Sequence, residues 1–353
     1  AVATIDDAVS LSQAQDLNEL TDGKITLSTV ADTYANVQGI KKINDAQVDM
    51  GAANVTVTSQ TNITEINDLR DNDTTGNITI NDVSETKDNL ASIQGYGDVS
   101  LAAANISVTD VVTKDQADTI HGYNTAVGTT VTLSSVSDAF SNIDALQGTA
   151  GVVMTGATIT ATSAEAVTKA NATKLDGFTN KTVTVASVKD TRSNVTDISD
   201  LAGVDMSNAV ATIDDAVSLS QAQDLNELTD GKITLSTVAD TYANVQGIKK
   251  INDAQVDMGA ANVTVTSQTN ITEINDLRDN DTTGNITIND VSETKDNLAS
   301  IQGYGDVSLA AANISVTDVV TKDQADTIHG YNTAVGTTVT LSSVSDAFSN
   351  IRQ

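Results

Sequence analysis

The sequence predicts an α/β fold: a right-handed solenoid of strand-helix coils, each about 26 residues long, with a parallel β-sheet on one side. Three observations support this prediction. Residues 1–143 recur without a change as residues 209–351, an offset of 208. Within this period, short β-branched strands alternate with segments that have helical apolar spacing. Proline is absent, as expected where strands lie inside a hydrogen-bonded ladder.

The exact repeat also defines the organisation of the chain. Residues 1–208 form one full period, and residues 209–353 form a second, truncated copy. The junction between Asn208 and Ala209 has no Gly/Ser-rich or proline-rich linker. We therefore expect the second copy to continue the solenoid of the first.

Each period contains eight coils, and every coil begins with an alternation of apolar and hydroxyl residues. The spacings between strand starts alternate between short and long, from 22 to 30 residues. The long coils begin at Ile25, Ile78, Val131 and Val183, and after the helix each adds a few residues that we expect to be extended, such as 48–50, which the short coils omit. Parallel strands joined through a helix need a crossover connection, which is right-handed in nearly all proteins. The eight strand starts are Ala3, Ile25, Val55, Ile78, Ile106, Val131, Ile159 and Val183.

A helix of two to three turns is indicated after each strand, because apolar residues recur three or four positions apart. In every long coil, an acidic residue precedes an asparagine by four positions. We expect the acids to be helix N-caps, and the stacked asparagine amides of successive coils to satisfy one another and the turn backbone. The acids are Asp32, Glu85 (a poorer cap), Asp138 and Asp190, and the asparagines are Asn36, Asn89, Asn142 and Asn194.

Composition excludes several classes of function. The chain has 18 Lys+Arg against 47 Asp+Glu, a net charge of −29, so we expect no nucleic-acid partner. It has no cysteine, which excludes disulfides and thiol chemistry. It has no apolar stretch of ~18 residues, and Ala1 does not open a leader-like segment, so we expect no membrane span and no secretion signal within these residues.

Catalytic motifs are also missing from the sequence. Each period has one histidine, His121 and its copy His329, followed by a glycine as at many helix C-termini. The sequence has no nucleophile elbow, phosphate-binding loop or zinc-protease motif. We therefore expect that the protein is not an enzyme.

One segment per period resembles a calcium-binding loop. Residues 71–82 carry oxygen-bearing side chains at positions 1, 3 and 5, a glycine at position 6 and an acid at position 12. Thr75 replaces the usual Asp or Asn, and Asp82 is shorter than the usual Glu. The alternative is a polar turn between a helix and a strand. The candidate Ca²⁺ ligands are Asp71, Asp73, Thr75 and Asp82, with copies at Asp279, Asp281, Thr283 and Asp290.

The outward side of the strands carries a row of hydroxyl residues. Parts of it read Thr-x-Thr, the pattern that ice-binding β-solenoids present to ice. This predicts an alternative function as a binding surface for ice, glycan or mineral, through the row and the side loops. Threonine is also a common strand residue with no binding role. The row is Thr4, Thr26, Thr56, Thr79, Ser107, Thr132, Thr160 and Thr184.

Residues 131–146, VTLSSVSDAFSNIDAL, and their counterparts resemble the repeat regions of giant secreted and cell-surface proteins of bacteria, especially marine and cyanobacterial ones. The resemblance covers the whole chain and lies in its pattern. It implies an exported, acidic array that acts as an adhesin, surface filament or surface layer. The expected function is a stiff rod or filament shaft on or outside a bacterial cell. The expected partners are other copies of the chain, head to tail or side by side, and a surface glycan.

Overall fold

The computed structural model describes residues 1–43, 47–251, 255–347 and 350. The chain divides into two compact units: unit 1 comprises residues 1–165 and 174–184, and unit 2 comprises residues 166–173 and 185–353. The junction between the two sequence copies therefore lies inside unit 2. In both units parallel strands alternate with helices in coils of about 26 residues, which confirms the predicted α/β solenoid of strand-helix coils.

Unit 1 contains the elements β1 (Ala3–Val9), α1 (Leu11–Leu20), β2 (Ile25–Asp32), α2 (Tyr34–Lys41), β3 (Val48–Asp49), β4 (Asn54–Thr61), α3 (Ile63–Asp68), β5 (Ile78–Glu85), α4 (Lys87–Gln94), β6 (Val99–Ser100), β7 (Asn105–Val112), α5 (Lys114–His121), β8 (Val131–Asp138), α6 (Phe140–Gln147), β9 (Val152–Val153) and β10 (Thr158–Ala161). A π-helical turn, Leu69–Asp73, follows α3. The helix α7 (Lys169–Asp176) and the strand β11 (Val183–Val185) contribute residues to both units.

Unit 2 contains the elements β12 (Ser187–Asp190), α8 (Arg192–Ser199), β13 (Val204–Asp205), β14 (Val210–Val217), α9 (Leu219–Asn226), β15 (Ile233–Asp240), α10 (Tyr242–Ile248), β16 (Val256–Asp257), β17 (Asn262–Thr269), α11 (Ile271–Asp276), β18 (Ile286–Glu293), α12 (Lys295–Gln302), β19 (Val307–Ser308), β20 (Asn313–Val320), α13 (Lys322–His329) and β21 (Val339–Val344). The π-helical turn recurs at Leu277–Asp281. None of the helices in the described ranges has the length and apolar run needed to cross a bilayer.

The sheet order follows the chain, with the short strands set to one side. In unit 1 the order is β1-β2-β4-β5-β7-β8-β10, while β3, β6 and β9 pair with β2, β5 and β8. In unit 2 the order is β12-β14-β15-β17-β18-β20-β21, while β16 and β19 pair with β15 and β18. The short strands are the extra extended segments of the long coils, which explains why the long coils need more residues.

Strand register repeats from one long coil to the next. The last four residues of a long-coil strand pair with the first four of the following short-coil strand, as 29–32 with 54–57. The first residues of the same long-coil strand pair with the short strand instead, as Ile25 with Val48. All six junctions from a long coil to a short coil have this register.

The core is built from the inward residues of each strand and one face of each helix. In the coil of β5 and α4, Ile78, Ile80 and Val83 point inward from the strand, and Leu90 and Ile93 point inward from the helix; all five are fully buried. Alternation along the strand and three-residue spacing along the helix bring these side chains to one side. Burying each one contributes roughly 1.5–3 kcal/mol to folding.

The helix N-caps of the long coils differ from the prediction. Asp32 is not the N-cap of α2; the next residue, Thr33, is, and its Oγ1 accepts a hydrogen bond from the Asn36 N–H at 3.3 Å. Thr86 and Thr191 cap α4 and α8 in the same way, whereas Ala139 at the start of α6 makes no side-chain cap. The predicted acidic caps were wrong by one position, because each acid is the last residue of its strand and bonds to the neighbouring coil.

Candidate functional site: the interface between coils

The acid at the end of each long-coil strand caps the N-terminus of the helix in the preceding coil. One oxygen of Asp32 accepts the Leu11 N–H at 2.9 Å. The other accepts the Thr33 N–H at 2.8 Å and the side-chain amide of Asn36 at 2.9 Å. Leu11 is the first residue of α1, so its N–H has no acceptor within its own helix. The carboxylate supplies that acceptor from the next coil, at the end of the helix dipole that favours negative charge.

The same arrangement recurs at seven positions along the described chain. We call these acids the capping acids: Asp32, Glu85, Asp138, Asp190, Asp240, Glu293 and Asp346. Each also accepts the amide of the asparagine four residues later. The prediction that the asparagine amides satisfy one another was therefore wrong, because each amide bonds the carboxylate of its own coil.

Side chains of the short coils, in turn, accept hydrogen bonds from the N-termini of the long-coil helices that precede them. The N–H of Lys87, the first residue of α4, donates to Asp110 in β7 at 2.9 Å, and the Lys87 ammonium pairs with the same carboxylate at 2.7 Å. The backbone N–H groups of Tyr34 and Ser141 donate to side chains one coil further along, to the Ser59 hydroxyl and the Glu165 carboxylate respectively. A helix in either type of coil thus depends on its successor for a backbone acceptor.

Hydrogen bonding keeps the capping acids ionised. Burial alone raises the pKa of Asp32, but the bonds from Leu11, Asn36 and Thr33 outweigh it, and the pKa lies below its ordinary value. The pKa values of five others are lowered by the same balance of burial against hydrogen bonds: Glu85, Asp138, Asp190, Asp240 and Glu293. At neutral pH each acid is therefore a charged acceptor, the form that makes the stronger hydrogen bonds.

The junction between the sequence copies is an ordinary long-to-short junction. Within unit 2, β12 pairs with β14 so that Ser187 lies opposite Val210, the register seen at all other junctions of this type. The N–H of Arg192, the first residue of α8, donates to Asp215 at 2.6 Å. The last coil of the first copy therefore contacts the first coil of the second copy through the same strand pairing and helix cap that join coils inside a period.

The acid at position 3 of the candidate calcium loop, Asp73, forms an ion pair with a lysine. The Asp73 side chain is fully buried, and its Oδ1 lies 2.9 Å from the Lys41 ammonium. Gln38 donates a second bond to the same carboxylate. The second copy repeats this ion pair between Asp281 and Lys249 at 2.5 Å. A buried carboxylate that is already neutralised in this way has little negative charge left to attract a cation.

The other candidate ligands do not join Asp73 in one set. The Thr75 hydroxyl donates to the Gly51 carbonyl at 2.7 Å, Asp71 lies exposed in the π-helical turn, and Asp82 lies within β5. Their copies Asp279, Thr283 and Asp290 have the same positions in unit 2. Among the described residues, no three His, Cys, Asp or Glu side chains lie close enough to hold a metal ion. Calcium binding stays a prediction of the sequence.

Two polar contacts between coils were not predicted from the sequence. The Tyr34 hydroxyl donates to Asp68 at 2.8 Å, and burial together with this bond raises the pKa of Tyr34 to about 12. The Arg70 guanidinium lies 3.8 Å from the centre of the Tyr96 ring and bonds Asp98 at 2.9 Å. The partners are 34 and 28 residues apart. For Arg70 and Asp98, opposite charges about one coil apart were the available signal; the sequence offers no such signal for the neutral Tyr34 hydroxyl.

The hydroxyl row is interrupted rather than continuous. Thr4 lies opposite Thr26, but the next partner of Thr26 is Asp49 in the short strand. Thr56 lies opposite Ala31, five residues beyond Thr26 along β2. The outward hydroxyl residues predicted from the sequence do not form one unbroken row, because the register shifts along the strands at every junction from a long coil to a short coil. Threonines therefore meet in pairs rather than in one lattice.

His121 lies at the end of a helix, as predicted. It is the last residue of α5, and Gly122 is the C-cap. Gly151 packs close to it, at a φ of 90°, and a Cβ atom on Gly151 would lie 3.1 Å from the imidazole Nε2. The histidine thus fills a space next to a turn that only glycine adopts without strain.

The fold and the interface define a class: a tandem-repeat solenoid of parallel strand-helix coils joined by reciprocal helix caps. The chain matches no family model, no curated protein and no solved structure. Its function must therefore be argued from the coils and their junctions.

Proposed function

We propose that this chain is a structural repeat module, a section of stiff shaft on or outside a bacterial cell that serves as an extender, an adhesin stalk or a surface fibre. The main support is that a coil is incomplete by itself. Leu11 needs Asp32 from the next coil, and Lys87 needs Asp110. Arrays of such units gain stability from each added neighbour and extend in one direction.

The observation that carries the proposal is the junction of the two copies. Ser187 pairs with Val210 in the standard register, and Asp215 caps the Arg192 N–H as any other junction would require. A whole period can thus be added without any new interface. Perfect identity over 143 residues fits a part whose contribution is length, because each copy then meets the same neighbours.

Charge supports a position in solvent rather than against nucleic acid or an anionic surface. The net charge of −29 makes neighbouring chains repel one another and keeps an array soluble. The proposed place outside a bacterial cell rests on the resemblance of residues 131–146 and their counterparts to repeats of giant bacterial surface proteins. Immunogold labelling of thin-sectioned source cells tests it, and label confined to the cytoplasm would contradict it.

Chains of different repeat number test the proposed shaft. One and two further 208-residue periods are inserted after Asn208, and particle length is measured by electron microscopy and small-angle X-ray scattering. Eight coils at ~4.8 Å each predict an added length of roughly 38 Å per period at constant width. A globular control of matched mass sets the behaviour of a compact particle. Growth in all three dimensions with added periods would reject the proposal.

A further inference from the structure

One helix-to-strand connection in each period is longer than its counterparts. Residues 122–130 join α5 to β8, whereas the same connection in the other short coils takes four to six residues, such as 74–77 and 177–182. At its tip Val127 is 105% exposed, and the copy Val335 is 104% exposed; no other large apolar side chain in the described ranges is as exposed. The extra residues are not needed to build a coil, and insertions of this kind in repeat proteins often carry binding.

Hydrogen bonds hold the tip of this connection in one shape. The N–H groups of Thr125 and Ala126 donate to the Ala102 carbonyl at 3.0 and 2.8 Å. The Thr129 hydroxyl donates to the Ala126 carbonyl at 2.7 Å, and Gly128 completes the turn at a φ of 91°. The second copy repeats these bonds. Because the turn is already formed, a partner that covers the exposed valine orders little additional chain.

The sequence around the tip carries almost no charge. Between residues 119 and 164 the charged side chains are Asp138 and Asp144, two of 46 residues, against 18% of the whole chain. Both are engaged within the chain, since Asp138 accepts the Lys114 N–H at 2.8 Å and Asp144 pairs with the Lys174 ammonium at 3.2 Å. This segment therefore presents no unpaired charge in a strongly acidic protein.

A second uncharged turn lies beside the tip. Residues 147–150, at the end of α6, include the exposed Ala150. The Val131 N–H, which follows the tip, donates to the Gly151 carbonyl at 2.8 Å and holds the two turns side by side. We call residues 125–128 and 147–150 the neutral patch.

The charge of the chain indicates which partner suits this patch. With a net charge of −29, most other contacts between two copies bring acids toward acids, and like charges repel at contact even in water. A basic partner would be drawn to the acidic surface instead. The neutral patch thus favours a partner as acidic as the chain itself.

We propose that the neutral patch is a lateral contact between copies of this chain, in which the exposed valine packs against the same patch of a second copy. The inference rests on the proposed function, because it names the surface through which shafts lie side by side. Each 208-residue period contributes one such tip, as Val127 and Val335 show. Contacts that are weak singly become firm when many act together along two arrays.

Charge variants at the tip test the contact. The double variant Val127→Asp, Val335→Asp places one acid at each tip. The control Ala91→Asp, Ala299→Asp adds the same two charges at exposed positions of α4 and α12. In sedimentation velocity we expect association about tenfold weaker for the valine variant than for the control. Equal association of the two variants, or a wild-type chain that stays monomeric at the highest concentration measured, would overturn the proposal.

Engineered thiols report the contact directly, because the chain has no cysteine of its own. The double variant Val127→Cys, Val335→Cys is treated with a short bis-maleimide cross-linker, which joins tips in either relative orientation of two chains. The control Ala91→Cys, Ala299→Cys carries equally exposed thiols on helices. We expect linked dimers to form about tenfold faster from the valine positions. A rate no higher than that of the control would overturn the proposal, even if the patch binds another molecule such as a neutral glycan.

The two proposals fail in different ways. Chains that grow by the expected increment per period but never lie side by side would overturn the lateral contact and leave the shaft intact. Chains that cross-link through their tips but grow in all dimensions with added periods would overturn the shaft and leave the contact intact. Electron microscopy of the chains with added periods gives both readings.

Discussion

Removal of one capping acid should loosen two successive coils at once. We choose Asp240 because both neighbouring coils in unit 2 are described. Its carboxylate accepts the Leu219 N–H at 2.9 Å, the Thr241 N–H at 2.7 Å and the Asn244 amide at 2.9 Å. Asp240→Ala leaves all three donors without this acceptor, including the first N–H of α9.

The expected loss follows from these bonds. A hydrogen bond to a charged group contributes about 1.5–3 kcal/mol, and loss of a helix cap costs about 1 kcal/mol. Thr241 and Asn244 are half-buried, so water replaces part of what they lose. We therefore expect Asp240→Ala to lower the free energy of unfolding by about 2–4 kcal/mol in total. Asp240→Asn keeps one acceptor oxygen and should lose about half as much.

Urea unfolding followed by circular dichroism measures the overall effect. Because repeat proteins open in parts, hydrogen exchange at the Leu219 amide locates it. The control Asp224→Ala removes an equal charge from an exposed position on α9 and should change stability by less than about 0.5 kcal/mol. If the two variants lose equal stability, or if exchange at Leu219 is unchanged, the capping argument is wrong.

Three further outcomes are expected. Stability should fall as the pH drops below about 4, because the capping acids, such as Asp138, have lowered pKa values in the folded state; their contribution is present above the unfolded pKa and lost as the pH falls through the folded pKa. Acid titration followed by circular dichroism checks this, and rising stability in acid would mean that relief of charge repulsion dominates. EDTA should leave the melting temperature unchanged, because Lys41 already neutralises Asp73, whereas a calcium-dependent rise would restore the metal site. Thermal hysteresis should be absent, because the hydroxyl row is interrupted at Asp49 and Ala31; measurable hysteresis would support ice binding.

The coil was predictable from the sequence because its signals are local. Alternation in β5 and three-residue spacing in α4 mark the residues that turn inward, and the structure buries Ile78 and Leu90 as these patterns require. The exact 208-residue repeat supplied the rest, since it excludes two unrelated domains. The short strands such as β3 also lie where the extended segments of the long coils were expected.

The caps and the register were not predictable, because both depend on the neighbouring coil. Nothing near Asp32 in the sequence tells whether its carboxylate bonds its own helix or the Leu11 N–H of the coil before it. Thr33 is also a favoured N-cap residue by local rules, and it takes that role once Asp32 is engaged elsewhere. The calcium-like pattern misled for a similar reason, since Asp73 meets Lys41 from a segment 32 residues away.

The capping acids also explain why the register is the same at every junction. Asp32 reaches the Leu11 N–H only when β2 sits at one position along β1, and it ends the four-residue stretch that pairs with β4. A slip by one residue would turn Val30 outward and bring Ala31 or Thr33 to the end of α1, where neither supplies a carboxylate. One acid per long coil therefore links strand register to helix capping on both sides. An array with this device can repeat a period indefinitely without accumulating pairing errors, which is the physical requirement for a shaft made of identical parts.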